Sequence, residues 1–359
     1  KKGAVGDRVE YCARKVEQHL GFAAGRYFVN QTFGGDSREK GTKIIIEILD
    51  VFKSSLPNVP WLDKTSADTA AAKATAIRVK VGYPLSPNTR DPASILQYYQ
   101  DVDVNNDTYF ENILSAAAGA SSKTWSKLGQ HRNPQTWEMW PSVVNAYYSP
   151  SSNEDSFYHD LISPPAYVHF RPSYLSYGAF GHVAGHELTH AFDSAGRLYN
   201  QHGKLENWWT SSSNAAYQVK QECIETQYSG YTVEDGRGGT IHVNGNLTSG
   251  ENIGDTGLIQ AYRAWKAQYS ESLHAGHEFL LPNMNYTREQ LFFISFARMW
   301  GNTINTAAQV QRIRTDKHSP NIWRVDGTVS NIPEFAAAFS CPQGARLNPP
   351  SENRCLFWS

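Results

Sequence analysis

Residues 181–193, GHVAGHELTHAFD, set three histidines at intervals of four, with a glutamate beside the second, into an otherwise apolar stretch. Phe180, Val183, Ala184, Leu188, Ala191 and Phe192 recur at helical spacing and require a core to pack against. The same helix carries imidazoles and a carboxylate towards that core, where unpaired polar groups lose hydration without return. A fold built on this segment must give them a partner. His186-Glu187-Leu188-Thr189-His190 is the pattern H-E-x-x-H. Positions four apart lie one turn above the other on a helical face, so both imidazoles can reach one Zn²⁺. Glu187, rotated by about 100°, stands beside the metal's open position. The plain alternative is a structural helix with surface histidines. His182 and His186 are also four apart, but valine rather than glutamate follows His182, and that pairing leaves Glu187 without a role. His182 is therefore expected to line the cleft.

Two histidines leave a catalytic zinc short of its usual three protein ligands. Glu251-Asn252-Ile253-Gly254-Asp255 opens a second predicted helix after a glycine-rich loop. Glu251 can complete a His₂Glu set, with the fourth position left to water. Asp255, one turn on, and Asp193, three residues past His190, can accept the free N–H of a zinc histidine. An ordinary acidic first turn, favoured by the helix dipole, is the other reading of Glu251 and Asp255.

The rest of the chain reads as mainly helical with little sheet. Residues 9–53 have a helical pattern interrupted near Gly34-Gly35-Asp36, and Val9, Cys12, Val16 and Leu20 suggest a helix already under way at the start. The stretch KTSADTAAAKATAIRVKVGYP reads as an alanine-rich helix ended by Gly82-Tyr83-Pro84. Residues 93–128 are helical around a break at DVDVNND, and VVNAYYSP, 143–150, is the best strand candidate. Residues 151–176, rich in proline, read as ordered loop, as does TVEDGRGGTIHVNGNLTSG. Helices are expected at 211–229, from Glu251 through AYRAWKAQ, and over REQLFFISFARMWG.

The chain has 359 residues, with 33 Lys+Arg against 34 Asp+Glu, a balance that gives no support to a nucleic-acid binder, which needs a concentrated basic surface. No apolar run is long enough to span a membrane, and no apolar region follows the N-terminal lysines as in a signal peptide. Cys12, Cys223, Cys341 and Cys355 form no CxxC pair, and two lie in the tail, where a disulfide could anchor it. Sequons at Asn30, Asn106, Asn246 and Asn285, with these cysteines, lean towards an extracellular protein.

HELTHAFD, then ENIGD, then HSPNIWR, with VNAYY upstream, resembles in the same order the motifs of the neprilysin family of zinc endopeptidases, which includes the endothelin-converting enzymes. NWW at 207–209, AYRAW at 261–265, LFFISFARMW at 291–300 and CLFW at 355–358 fit as well. The resemblance covers essentially the whole chain. It implies a mainly α, two-lobed zincin with a small β element at the active-site cleft. By position it implies His186, His190 and Glu251 as zinc ligands and Glu187 as general base. Asp193 and Asp255 would orient the histidines, and His318 would stabilise the oxyanion. Arg324, Asn145 and the backbone of Ala146 would hold the peptide main chain, and Met299 and Trp300 would line the pocket after the scissile bond.

Two positions depart from the family pattern. His182 stands where an apolar residue is usual, and Ala166 follows Pro164-Pro165 where an aromatic is common. Both border the primed pocket in family members, so a wider and more polar pocket is expected, unless Phe170 or Phe180 fills the space. The resemblance is to the C-terminal half of longer proteins. It makes residues 1–90 the tail of a helical lid lobe and 91–359 a thermolysin-like catalytic lobe. It also pairs Cys223 with Cys355 and leaves Cys12 and Cys341 to partners in the N-terminal half, which a separate disulfide-linked chain could supply. The full protein would be secreted or the ectodomain of an anchored one. A catalytically inactive peptide-binding relative and an aminopeptidase are the alternatives. The complete ligand and base set speaks against the first, and the lack of a GxMEN-type amine anchor against the second.

Overall fold

The computed structural model describes residues 6–33, 35–158 and 172–358. The fold is mainly helical, as expected. The N-terminal helices are α1 (Arg8–Thr32), α2 (Ser37–Ser55), α3 (Lys64–Thr75), α4 (Pro92–Tyr98) and α5 (Tyr109–Ser126). Beyond residue 172 come α6 (Ser173–Ser176), α7 (His182–His190), α8 (Ser211–Ser229), α9 (Gly245–Asp255) and α10 (Leu258–His274). The last four are α11 (Arg288–Met299), α12 (Thr306–Thr315), α13 (Asn321–Ser330) and α14 (Pro333–Ala338). Strands β1 (Arg78–Gly82), β2 (Ala146–Ser149) and β3 (Glu154–Tyr158) form a sheet in the order β1-β3-β2, while β4 (Thr232–Glu234) and β5 (Thr240–His242) make an antiparallel pair.

Four expectations are corrected. The alanine-rich helix stops at Thr75, and the residues before Gly82 form β1, because Val79 and Val81 alternate with charged residues at strand period. The loop expected at 151–176 contains β3. The glycine-rich stretch expected as loop holds the β4–β5 hairpin, with Val233 opposite Ile241. Finally, the helix bearing Glu251 starts at Gly245, where the Asn244 side chain accepts the Leu247 amide at 3.0 Å, and breaks at Thr256-Gly257 rather than running on.

The described residues form two compact units, each discontinuous in sequence. Of the described residues, one draws on 6–33, 35–41, 80–146 and 156–158, the other on 42–79, 147–155 and 172–358. In the first, Phe22 meets Tyr98 and Trp140 edge-on at 5.1 and 4.9 Å. Gly21 permits this, since a Cβ there would fall 2.3 Å from the Trp140 ring. In the second, Phe52, Phe192 and Trp358 interlock with centroids 5.1–6.1 Å apart. Trp61 donates to the Phe357 carbonyl at 2.6 Å, and a Cys223–Cys355 disulfide joins α8 to the C-terminal segment. Cys12 is exposed and Cys341 half-buried, neither in a disulfide. The four sequon asparagines, Asn30, Asn106, Asn246 and Asn285, are exposed. Among the described residues no helix is long and apolar enough to cross a membrane.

Candidate active site

Helix α7 follows a turn of wider, π-type helix at Tyr177–Gly181. Gly178 lets that turn press on α11, because a Cβ would lie 2.2 Å from the Phe292 carbonyl oxygen. The crossing of α7 with the α9–α10 break is closer still. A Cβ on Gly185 would meet the Gly257 oxygen at 2.4 Å, one on Gly257 would meet the Gly185 oxygen at 2.1 Å, and one on Gly254 would fall 2.8 Å from the His186 ring. Only bare backbone permits this approach, and it carries Glu251 on α9 to the histidines of α7.

Three side chains converge. His186 Nε2 and His190 Nε2 are 3.0 Å apart, and Glu251 Oε2 lies 3.2 Å from the first and 3.5 Å from the second. Ligand bonds of 2.0–2.1 Å in a tetrahedral zinc site put donors about 3.3 Å apart, so the three atoms fit that ion. Glu251 Oε2 is buried and makes no well-aligned hydrogen bond, although it faces three ring nitrogens, the third being His318 Nε2 at 3.2 Å. Such a buried acceptor suits a cation. The other oxygen, Oε1, is taken by the Lys317 ammonium at 2.8 Å.

Each histidine is steadied from behind. His186 Nδ1 lies 2.8 Å from Asp255 Oδ1, and His190 Nδ1 lies 2.6 Å from Asp193 Oδ2. Asp193 Oδ1 accepts the amides of Ala195 and Gly196 at 2.8 and 2.6 Å. Burial works against the His190 imidazolium, but Asp193 and Glu251 outweigh it and lift its pKa well above the ordinary value. Burial likewise opposes the Glu251 carboxylate, yet His186, His190 and His318 hold it far below the usual range. Glu187, on the same helix, is buried, and its carboxylate makes no hydrogen bond to a described residue.

His318, in the loop between α12 and α13, is oriented by Asp316, whose Oδ1 contacts Nδ1 at 2.8 Å and accepts the His318 amide at 3.0 Å. Ser319 donates to Asn252 Oδ1 at 2.7 Å and ties this loop to α9. Arg324 is buried: Nε and one Nη grip Asp255 at 2.8 and 2.7 Å, and the guanidinium stacks 3.7 Å over the Trp300 ring. Nη1 makes no hydrogen bond to a described residue. His182 presents no surface to solvent. Its ring packs 4.5 Å from Phe296, its Nε2 accepts the Trp300 indole N–H at 3.3 Å, and burial pushes its pKa down to about 3. Met299 is half-exposed at the end of α11, beside Trp300. Asn145 and Ala146 belong to the other unit, at the start of edge strand β2, where the Asn145 side chain accepts the Ala146 amide at 2.9 Å. Ala166 lies outside the described residues.

Sequence reasoning missed Asp316 and Lys317, although both sit in the DKHSP run beside His318. It also missed Asp155 on β3, which is fully buried with neither carboxyl oxygen hydrogen-bonded. Burial, and then the charge of Glu187, push the Asp155 carboxyl well above the carboxylate range. No spacing signal links residue 155 to the α7 motif.

The family model described as Peptidase family M13 matches residues 145–355, and a second model of the same description matches 1–84. The chain is 37% identical over 348 residues to the endothelin-converting enzyme homolog of Locusta migratoria, covering 97% of this chain and 46% of that protein. It is 39% identical over 352 residues to endothelin-converting enzyme 1 of Homo sapiens, covering 98% and 44%. The crystal structure of Mycobacterium tuberculosis zinc metalloprotease ZMP1 in complex with inhibitor superposes with a TM-score of 0.86 at 28% identity, over 99% of this chain and 52% of that one. The chain thus spans less than half the length of these two relatives. Agreement across nearly all of its own residues, in sequence and in fold, leaves one conclusion: the chain belongs to peptidase family M13.

Proposed function

We propose that this chain carries the catalytic centre of a zinc endopeptidase that hydrolyses internal bonds of oligopeptides. The observation behind it is the convergence of His186, His190 and Glu251 within 3.5 Å of one another, with Glu187 free beside them. One zinc ion held by these three would lower the pKa of water and polarise a carbonyl.

The remaining chemistry belongs to the chain. Glu187 accepts the proton of the attacking water and delivers it to the departing amine. Asp316 on Nδ1 leaves His318 with Nε2 turned to the metal ligands, where an imidazolium N–H binds the growing oxyanion more strongly than the neutral carbonyl. Arg324, gripped by Asp255 on one side, keeps Nη1 for a substrate carbonyl. Asn145 and Ala146, at the start of edge strand β2, suit recognition of an extended main chain by strand-like hydrogen bonds. Met299 and Trp300 line the pocket after the scissile bond, and His182 reaches it only through the Trp300 indole. Buried behind Trp300, His182 lends that pocket no polar surface, which corrects the expectation that it lines the cleft; the family-pattern departures at 182 and 166 support a pocket wider than one built for Phe or Leu. A peptide-library profile strictly preferring large apolar residues there would reject that specificity.

Against the expected boundary at residue 90, residues 42–79 belong with the unit that carries the metal helix and 91–146 with the other; the N-terminal half supplies partners for Cys12 and Cys341. The Cys223–Cys355 disulfide and four exposed sequons support an extracellular protein, secreted or anchored through a segment outside this chain. Zinc analysis, together with cleavage of an internally quenched peptide blocked at both ends, tests the activity. Zinc without cleavage would mean a binding relative, and cleavage of unblocked ends alone an aminopeptidase.

A further inference from the structure

We propose that Lys73 on α3 is a positioning residue for the metal helix, gathering the carbonyls of the turn that presents Asp193 to His190. Its Nζ lies 2.7 Å from the Ala191 oxygen, 2.7 Å from that of Gly196 and 2.6 Å from that of Tyr199. An ammonium has three N–H donors and no acceptor, so these carbonyls saturate it. The side chain is 1% exposed and walled by the rings of Phe192, Trp208 and Tyr148, at 5.4, 5.7 and 6.0 Å. Burial pushes its pKa down, and the charge of Asp193 counters that. The Lys73 backbone is anchored too: Asn153 Nδ2 donates to its carbonyl and to that of Gln201, each at 3.1 Å.

A dehydrated ammonium is a costly way to fill space that methionine would fill. What it holds explains it. Ala191 directly follows α7, where helix carbonyls run out of backbone partners and a cation complements the dipole. The turn 191–199 has two polar sides. Its amides at Ala195 and Gly196 point to Asp193, and its carbonyls at Ala191, Gly196 and Tyr199 point to Lys73. The turn is folded so tightly that a Cβ on Gly196 would lie 1.8 Å from the His190 oxygen. Lys73 thus acts on the metal ligands through Asp193 and its 2.6 Å contact with His190.

This inference rests on the zinc reading above. The test measures zinc affinity by chelator competition for the wild-type chain, Lys73→Met, Asp193→Ala and the double variant, with amide hydrogen exchange at residues 195 and 196. Lys73→Met is expected to bind zinc about tenfold more weakly, the scale of losing a partner that orients a metal ligand. Exchange at the two amides should quicken, and in the Asp193→Ala background the further loss should shrink to within about twofold. Should Lys73→Met not melt cooperatively, Lys73→Gln, which keeps a polar end, carries the same comparison. A folded Lys73 variant that binds zinc as wild type does, or an undiminished loss in the Asp193→Ala background, overturns the proposal. Absence of zinc binding by the wild-type chain would instead overturn the zinc reading itself.

Discussion

Gly254→Ala puts one methyl group against a metal ligand and leaves every donor atom in place. The new Cβ would stand 2.8 Å from His186 Cε1, 2.9 Å from Nδ1 and 3.2 Å from Nε2. Ordinary carbon contacts lie near 3.5–4.0 Å, so ring or helix must yield by about 0.7 Å. The ring cannot swing clear, since it is 6% exposed and held at Nδ1 by Asp255 at 2.8 Å. Metal–ligand distances tolerate only about 0.2 Å, so the shift spoils the site well before it threatens the fold. Overpacking costs roughly 1–3 kcal/mol, and the helix preference for alanine over glycine returns up to about 1 kcal/mol. The net loss of stability should stay under about 2–3 kcal/mol, while zinc affinity falls about 10–100-fold, or about 1.4–2.8 kcal/mol. Chelator competition gives the affinity and a thermal melt gives the stability. Gly185→Ala is the contrast: its Cβ meets the Gly257 oxygen at 2.4 Å, backbone against backbone, so fold and metal binding should fail together. If the Gly254→Ala protein binds zinc within twofold of wild type, the claim that bare backbone sets ligand geometry here is wrong.

Glu187→Gln should cut kcat about 10²–10⁴-fold while zinc stoichiometry stays at one per chain, and loss of the metal would show that Glu187 acts structurally. Asp316→Asn should lower kcat with little change in KM, because it releases His318 Nδ1; equal effects on both would place His318 in ground-state binding. Asp63 is held below its ordinary pKa first by the Thr210 hydroxyl and then by the Ser66 amide, and Asp316, against the opposing effect of burial, is brought to about 2 by His318 and Arg312. Depressed carboxylates stabilise the fold above the unfolded value near 4 and cease to do so as pH falls through their folded values. The thermal midpoint should therefore drop between about pH 4 and 2, and Asp63→Ala should flatten that slope; a wild-type midpoint constant over this range contradicts the assignment. Reducing the Cys223–Cys355 disulfide, which spans 132 residues of sequence, should cost about 2–5 kcal/mol by denaturant titration.

What the sequence determined was local. A four-residue interval on a helix decides by itself that His186 and His190 share a face, and apolar neighbours decide that the face is buried. Spacing puts Glu251 and Asp255 on one face of a predicted helix but leaves an ordinary acidic first turn open, and the order of the motifs carries their assignment. Edges and breaks were read less well. The α9–α10 break depends on what packs against it: Gly257 lies between the two helices where α7 crosses, which no window around residue 257 reports, whereas the strand at Val79–Val81 is written in its own alternation. Only the tertiary structure could pair Lys73 with carbonyls more than 110 residues away, set Lys317 on Glu251, or bury Asp155 without a hydrogen-bond partner. Backbone carbonyls carry no side-chain signature, and a lone lysine or aspartate looks the same in sequence whether it faces water or a metal helix. Periodicity encodes which residues share a face, while chain packing decides what that face meets.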